Sequence, residues 1–204
     1  MKITDIEPQR RKDRVNIYID NQFAFGLSLD LKYSYGLKID QVIDEQFIED
    51  VLKEEEAKKA INAALNFLSY RQRSEQEIKN KLKEKEYEEN YIKRAIDFCK
   101  EQGYIDDEAF AISFIRDKKN LNNLGQYRIK RELMLKGIDE AIIENVLFED
   151  LDEEYERAFK IAEKKYSSYR DEDKNKIYRK LSGFLQRKGY SFQIVSKILK
   201  ELLY

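Results

Sequence analysis

The stretch RIKRELMLKGIDEAIIENVL, residues 128–147, decides the fold because its pattern occurs three times in the chain. Its apolar residues predict a basic helix, a glycine turn and a second helix that is acidic and apolar. The apolar pair of the basic helix recurs at spacings of 51 and 52 residues, as Ile78 and Leu82, Ile129 and Leu133, and Leu181 and Leu185. Self-similarity at a fixed spacing is typical of repeat proteins.

Each copy is preceded by one more apolar segment with helical spacing, so each repeat holds three helices. We predict a mainly α fold with three tandem three-helix repeats at 57–105, 106–150 and 151–204, which form a curved, elongated array. Residues 1–56 are predicted to precede them as a small β-hairpin with a short helical extension. Apolar residues alternate with polar or small ones in the two stretches RVNIYID and FAFGLSL, which are joined by a turn at DNQ. KITDIEP is predicted to add an edge strand that stops at Pro8.

The turn between the second and third helix of each repeat has a recurring sequence. Gly137 and Gly189 stand where the basic helix ends and are predicted to adopt the left-handed conformation. The first repeat has Glu86 at this position, which should cost about 1 kcal/mol relative to glycine. Asp139 and Ser191 follow as predicted N-caps of the third helix.

Ser74 and Cys99 are also assigned to the fold. Ser74 and Glu77 have the spacing of a capping box, which predicts the start of a helix. Cys99 lies on an apolar stripe, and we interpret it as a small core residue rather than a reactive thiol.

The composition excludes much active-site chemistry. The 204 residues contain no histidine, which removes the commonest general base and every histidine-containing zinc site. A single cysteine and the lack of a glycine-rich phosphate loop leave no metal or cofactor to predict. No apolar run approaches the ~20 residues of a membrane span, and the first residues lack the apolar core of a signal peptide. We therefore expect a cytoplasmic protein without membrane contact.

The acidic run in GYIDDEAFA is the sharpest catalytic candidate. Asp106, Asp107 and Glu108 have the chemistry of magnesium ligands in a nuclease. The favoured interpretation is that Asp106 caps a helix whose positive end the other two carboxylates stabilise. EDLDEEYE (149–156) and DED (171–173) are likewise predicted to start helices.

The second helix of each repeat is basic on the side away from its core. An array would repeat this side as a discontinuous positive track, which suits a nucleic-acid backbone or an acidic groove of a protein. An ordinary solvated face, with cations near helix C-termini, explains the same residues, and both interpretations stay open. The candidate binding residues on or just before these helices are Arg71, Arg73, Lys79, Lys83, Arg128, Lys130, Arg131, Arg179, Lys180 and Arg187.

Tyrosines near predicted helix ends allow a further contact. Tyr70, Tyr104, Tyr127 and Tyr169 have aromatic rings that are able to stack on bases. We favour the alternative that they pack at the junctions between helices.

Three blocks of the sequence have a specific order and spacing: ALNFLSYRQRSEQEIKNKL (64–82), GYIDDEAFAISFIRDK (103–118) and GQYRIKRELMLKGIDEAII (125–143). Together they resemble the RecX family, bacterial regulators of the recombinase RecA. The stretch ITDIEPQRRKDRVNIYIDNQFAFGLS (3–28) is similar to the β extension of RecX proteins from low-GC Gram-positive bacteria. The resemblance covers nearly the whole chain and rests on the order and spacing of the blocks.

The resemblance implies a protein that is not an enzyme. It implies a monomer that binds the RecA filament on single-stranded DNA and limits filament growth, ATP hydrolysis and strand exchange in recombination and the SOS response. Arg116 and Lys118 join the candidate binding residues, whereas Asp106 and Gly137 are expected to serve the fold. The alternative function is a general single-stranded DNA-binding module that acts independently of RecA.

Overall fold

The computed structural model describes residues 1–148, 150–169 and 172–203. The predicted mainly α class is confirmed, with three three-helix units behind a small sheet. The first elements are β1 (Ile3–Pro8), β2 (Arg14–Ile19), β3 (Gln22–Ser28), α1 (Leu29–Ser34), α2 (Glu45–Leu68), α3 (Glu75–Glu84) and α4 (Glu89–Glu101). The later ones are α5 (Asp107–Asn120), α6 (Gln126–Leu135), α7 (Glu140–Val146), α8 (Leu151–Ser167), α9 (Lys174–Lys188) and α10 (Phe192–Leu203).

Contacts between residues divide the chain into two compact units. The first unit comprises residues 1–71 and 79–104, and the second comprises residues 72–78 together with the chain from 105 onward. The first turn of α3 therefore belongs to the second unit, together with α5 to α10. Among the described residues, no helix combines the length and the apolar character that crossing a bilayer would require.

The N-terminal segment of the first unit forms an antiparallel sheet in the order β1-β2-β3. The edge strand predicted to end at Pro8 is confirmed as β1. Asp20 and Asn21 both have positive φ, at 48° and 66°, as a two-residue hairpin turn between twisted strands requires. Apolar residues at alternate positions, including Ile17 and Leu27, fill the core beneath the sheet.

A buried ion pair ties this sheet to α2. Glu55 is 2% exposed, forms an ion pair with the Arg14 guanidinium at 2.6 Å and accepts a hydrogen bond from the backbone N–H of Ser28 at 3.0 Å. The boundary proposed at 56/57 lies inside α2, which continues without a break from the extension into the first repeat. The four domain ranges stay predictions.

Within the second unit, the second and third repeats each bury their own apolar side chains. In the second repeat, α5, α6 and α7 enclose Phe110, Ile129 and Ile143. In the third, α8, α9 and α10 enclose Leu181 and Ile198 among others. Helical spacing of apolar residues is the reason, since it gives each helix one stripe that must be removed from water.

The predicted turn residues are confirmed. Gly137 and Gly189 have φ of 76° and 91°, and Glu86 adopts the same left-handed conformation at 62°. Asp139 caps α7 by accepting the N–H of Ala141 at 2.8 Å. Helix starts at acidic stretches are confirmed for Asp150 and Asp173, whose carboxylates cap α8 and α9; Glu149 and Asp171 lie outside the described residues.

Cys99 is fully buried on α4, as predicted for a core residue. Burial raises the pKa of its thiol, since a thiolate would lose its hydration there. This environment suits packing, not nucleophilic chemistry.

The second unit also shows a contact that no helical spacing predicts. The end of α9 lies against the start of α6, where the Gly125 N–H donates to the Lys188 carbonyl at 2.9 Å. The end of α6 lies against the start of α3 in the same way, and the Ser74 hydroxyl donates to the Lys136 carbonyl at 2.8 Å. The basic helices of successive repeats therefore meet end to end, C-terminus to N-terminus. This arrangement brings opposite ends of helix dipoles together.

Candidate functional site

Several candidate lysines of the first and third repeats are paired with carboxylates, which offset part of their charge. Lys79 and Lys83 both contact Glu89, at 2.7 and 3.0 Å. Hydrogen bonds from Lys79 and then Lys83 lower the pKa of the Glu89 carboxyl. Lys180 contacts Glu172 at 2.6 Å, and this bond lowers the pKa of Glu172. Such exposed pairs add little stability, but they remove net charge from the surface.

The second repeat contains a half-buried cluster around Glu132. Lys118 and Arg128 contact this carboxylate at 2.9 and 3.0 Å. Burial raises the pKa of Glu132, but the hydrogen bonds from Lys118 and Arg128 outweigh it and the pKa is lowered. Lys130 pairs with Glu140 on α7 at 2.8 Å, and that bond raises the pKa of Lys130.

The remaining candidates outside α6 belong to three different segments of the chain. Arg71 and Arg73 are in the segment between α2 and α3, where both already make contacts. Arg116 is exposed on α5 and lies 3.7 Å from Asp117. Arg179 is exposed on α9.

Three of the candidate arginines converge. A cleft of about 530 Å³ between α6 and α9 brings Arg128, Arg131 and Arg187 together. It is lined by Tyr127, Arg128, Arg131, Glu132, Leu135, Gln186, Arg187 and Gly189. The end-to-end contact of α9 with α6 creates this cleft, because it places the last turn of α9 beside the first two turns of α6.

The three arginines of the cleft differ in what they already bind. Arg128 is committed to the fold: its Nε donates to Glu132 and its Nη1 donates to the Arg187 carbonyl at 2.8 Å. In the part of the chain that the structure describes, the side chains of Arg131 and Arg187 form neither a hydrogen bond nor an ion pair. Arg187 lies over Gly183, where a Cβ would come 3.1 Å from its Nη1. The cleft therefore offers two uncompensated guanidinium groups.

Apolar side chains adjoin these cations. Tyr127 and Leu135 are 69% and 76% exposed. They share one side of α6 with Arg131, because residues four apart lie on the same side of a helix. Ile129 and Leu133 occupy the opposite, buried side. The sequence analysis named Tyr127 only as able to stack on bases and did not name Leu135, although both lie four residues from Arg131.

The packing role expected for the tyrosines is confirmed only for Tyr169. Its ring lies against the core of the third repeat, with the Lys180 ammonium 4.8 Å from the ring centroid. Tyr70 is 82% exposed, and Tyr104 is exposed as well, so junction packing was wrong for them and for Tyr127. Tyr70 and Tyr104 follow the ends of α2 and α4, Tyr127 lies in the first turn of α6, and all three rings are in solvent.

Two carboxylates of the acidic run at 106–108 cap the N-termini of helices. Asp106 caps α5 by accepting the N–H of Ala109 at 2.9 Å, as predicted. Asp107 accepts the N–H of Glu75 at 2.9 Å and so caps α3 from outside that helix. Across residues 1–148, 150–169 and 172–203, no three His, Cys, Asp or Glu residues are grouped to hold a metal ion.

These elements and contacts define a helical repeat protein with an N-terminal antiparallel sheet and an exposed cationic and apolar cleft. Models of the RecX family match most of the chain. The N-terminal domain of the regulatory protein RecX matches residues 1–44, and its first, second and third three-helix domains match 60–99, 106–147 and 152–199. The chain belongs to the RecX family of regulatory proteins.

Individual relatives are similar to this chain in sequence over nearly their whole length. The regulatory protein RecX of Clostridioides difficile (strain 630) is 40% identical over 203 residues, covering 98% of this chain and 95% of that protein. That of Clostridium tetani (strain Massachusetts / E88) is 41% identical, covering 100% and 95%. A crystal structure of regulatory protein RecX matches with a TM-score of 0.78 at 32% identity, covering 98% of both chains. The crystal structure of RecX from Lactobacillus salivarius matches with a TM-score of 0.65 at 32% sequence identity. The match covers 73% of this chain and 97% of that chain.

Proposed function

We propose that this protein is a non-enzymatic inhibitor of RecA. It binds the RecA filament on single-stranded DNA and limits filament growth, ATP hydrolysis and strand exchange in recombination and the SOS response. It acts in the cytoplasm as a monomer and uses no cofactor. Membership of a family of regulatory proteins, over the full chain, supports this proposal.

The α6/α9 cleft is the observation that carries the proposal. Lysines among the candidate residues are paired with carboxylates of their own unit, as Lys79, Lys130 and Lys180 are. Within the described part of the chain, Arg131 and Arg187 have no such partner. Exposed tyrosine and arginine side chains are the residues that most often dominate protein–protein binding energy. A regulator that binds another assembly needs such a surface, and this chain has it on α6.

The test measures the rate of ATP hydrolysis by RecA on single-stranded DNA. The concentration of this protein is raised from far below that of RecA to an equal concentration. Inhibition at a small fraction of RecA is expected if the protein caps or breaks filaments. Inhibition that needs near-equal amounts is expected if it coats them. Unchanged hydrolysis, with the protein shown to be folded by circular dichroism, overturns the proposal.

Charge reversal locates the surface. Arg131→Glu combined with Arg187→Glu should abolish inhibition and leave the fold intact, because neither side chain bonds to another described residue. Arg128 is kept unchanged, since its loss would also release Glu132. Arg10→Glu is the matched control: it reverses one exposed arginine in the N-terminal segment. If the double variant inhibits RecA as strongly as the wild type, the cleft is not the surface that binds the filament.

A general single-stranded DNA-binding module is the alternative function. Exposed rings of Tyr70, Tyr104 and Tyr127 favour it, because aromatic rings in solvent are able to stack on unpaired bases. Such binding should occur without RecA and weaken steeply as salt rises, since phosphate contacts release counterions. Undetectable binding to an oligonucleotide at low salt would exclude this function.

A further inference from the structure

We infer that the α6/α9 cleft holds a polypeptide segment of the RecA filament in which carboxylates stand beside an apolar side chain. This inference rests on the proposed function, since it takes the filament as the partner. It goes further by stating what chemistry the cleft recognises and by assigning the contact to protein instead of nucleic acid.

The uncompensated cations define the polar half of the partner. Arg131 and Arg187 line the same cleft, and neither pairs with a carboxylate among residues 1–148, 150–169 and 172–203. A guanidinium presents paired N–H donors in a planar fork, which matches a carboxylate or a phosphate group. Glu132 lines the cleft too, but Lys118 and Arg128 already neutralise it. An anionic partner group is therefore required by charge complementarity.

The apolar half of the cleft selects between carboxylate and phosphate. Leu135 is 76% exposed one helical turn beyond Arg131, and Tyr127 is exposed one turn before it. A phosphate backbone covers leucine poorly, because it is fully solvated and carries one charge per nucleotide. A polypeptide segment can place an aliphatic side chain on Leu135 and a carboxylate on Arg131 at the same time. Protein interfaces are enriched in arginine and aromatic residues, as this cleft is.

The repeats themselves also disfavour a nucleic-acid track. A backbone-following surface needs an equivalent free cation in each repeat, but the positions equivalent to Arg131 are Asn80 and Gly183. The position equivalent to Leu135 is Glu84 in the first repeat and Arg187 in the third. Among the described residues of the three repeats, an arginine without a partner and an exposed leucine therefore occur together at these positions in the second repeat alone, which is what a single docking point requires.

The experiment measures binding on two surfaces. One carries RecA filaments assembled on a biotinylated oligonucleotide with a slowly hydrolysed ATP analogue, and the other carries the oligonucleotide alone. Arg131→Glu and Leu135→Ser are compared with the wild type. Arg10→Glu and Leu121→Ser are the matched controls, and Leu121 is 75% exposed, almost equal to Leu135.

We expect Arg131→Glu and Leu135→Ser each to weaken filament binding by about tenfold or more, the scale of an interface hot spot. Both controls should bind like the wild type, and Leu135→Ser should bind the bare oligonucleotide as the wild type does. Loss in Arg131→Glu with full binding by Leu135→Ser would overturn the inference in favour of a phosphate backbone. Full binding by both variants would overturn the cleft assignment and leave the proposed function standing. A wild type that does not bind filaments would overturn both.

Discussion

The hydroxyl group of Ser74 donates a hydrogen bond of 2.8 Å to the carbonyl oxygen of Lys136, 62 residues further along the chain. The hydroxyl oxygen of Ser74 also accepts the N–H of Glu77 at 3.2 Å and so caps α3. Ser74 is fully buried. One hydroxyl therefore satisfies both the start of the basic helix of the first repeat and the end of the basic helix of the second.

Ser74→Ala should lower the free energy of unfolding by about 2 to 3 kcal/mol. The loss of an N-cap costs ~1 kcal/mol, and a buried carbonyl without its donor costs about 1 to 2 kcal/mol more. Urea unfolding followed by circular dichroism measures the change. Ser168→Ala is the control, because its hydroxyl donates only to the Lys165 carbonyl at an exposed helix end, and a change within about 0.5 kcal/mol is expected. Equal effects of the two changes would contradict the double role of Ser74.

A substitution at Gly137, just beyond the end of α6, tests the same junction between α6 and α3. A Cβ at Gly137 would collide with the Cβ and Cγ of Gln76, in addition to the strain of its positive φ of 76°. Gly137→Ala should therefore destabilise the protein by about 3 kcal/mol, of which about 1 comes from the backbone.

Gly103→Ala separates the two contributions. Its φ of 70° is close to that of Gly137, but a Cβ there meets no atom within 4 Å. It should cost only ~1 kcal/mol. The two alanine variants are compared by their thermal unfolding midpoints, and similar midpoints would show that the junction tolerates the methyl group.

The three-helix repeats could be predicted because packing imposes a period on the sequence. Ile129 and Leu133 must both face the core, so their spacing and that of their counterparts survive in each repeat. The left-handed turn is equally visible, since Gly137 and Gly189 mark a conformation that other residues avoid.

Polar contacts between helix ends recur at equivalent positions of the repeats, but they leave no periodic signal in residue type, since serine stands at 74 and glycine at 125. The bonds from Ser74 to Lys136 and from Gly125 to Lys188 join residues far apart in sequence, and each uses a backbone carbonyl that every residue possesses. The cleft depends on the junction between α9 and α6. The sequence therefore identified its arginines as candidates but could not show that they lie side by side. Pairing of Arg128 with Glu132 was accessible, because the two residues have helical i, i+4 spacing.

Glu86→Gly should stabilise the protein by about 0.5 to 1 kcal/mol. Glu86 has φ of 62°, and glycine adopts this conformation without the clash that a Cβ produces. Urea unfolding at neutral pH measures the gain. Glu84→Gly, at the last residue of α3, should instead destabilise by ~1 kcal/mol, since glycine is a poor helix former and the change also removes the ion pair with Lys81. Loss of stability in Glu86→Gly would show that the Glu86 side chain contributes more than its backbone strain costs.

The pH dependence of stability should report the cluster at Glu132. Its carboxyl has a lowered pKa in the folded protein, because hydrogen bonds from Lys118 and Arg128 outweigh the effect of burial. A lowered folded pKa means that the carboxylate stabilises the fold at pH values above its unfolded pKa of about 4.3. That stabilisation is lost as pH falls from there through the folded pKa.

Glu132→Gln therefore should be less stable than the wild type by about 1 kcal/mol at pH 7, and the difference should shrink progressively below about pH 4.3. Urea unfolding of both proteins at pH 7, 5 and 3 gives the comparison. Glu163→Gln is the matched change, because Glu163 is an exposed glutamate of α8 that forms no ion pair with another described residue. Its difference from the wild type should stay near zero at each pH. A Glu132→Gln difference that persists undiminished at pH 3 would mean that the side chain acts by packing, and that Lys118 and Arg128 do not depend on its charge.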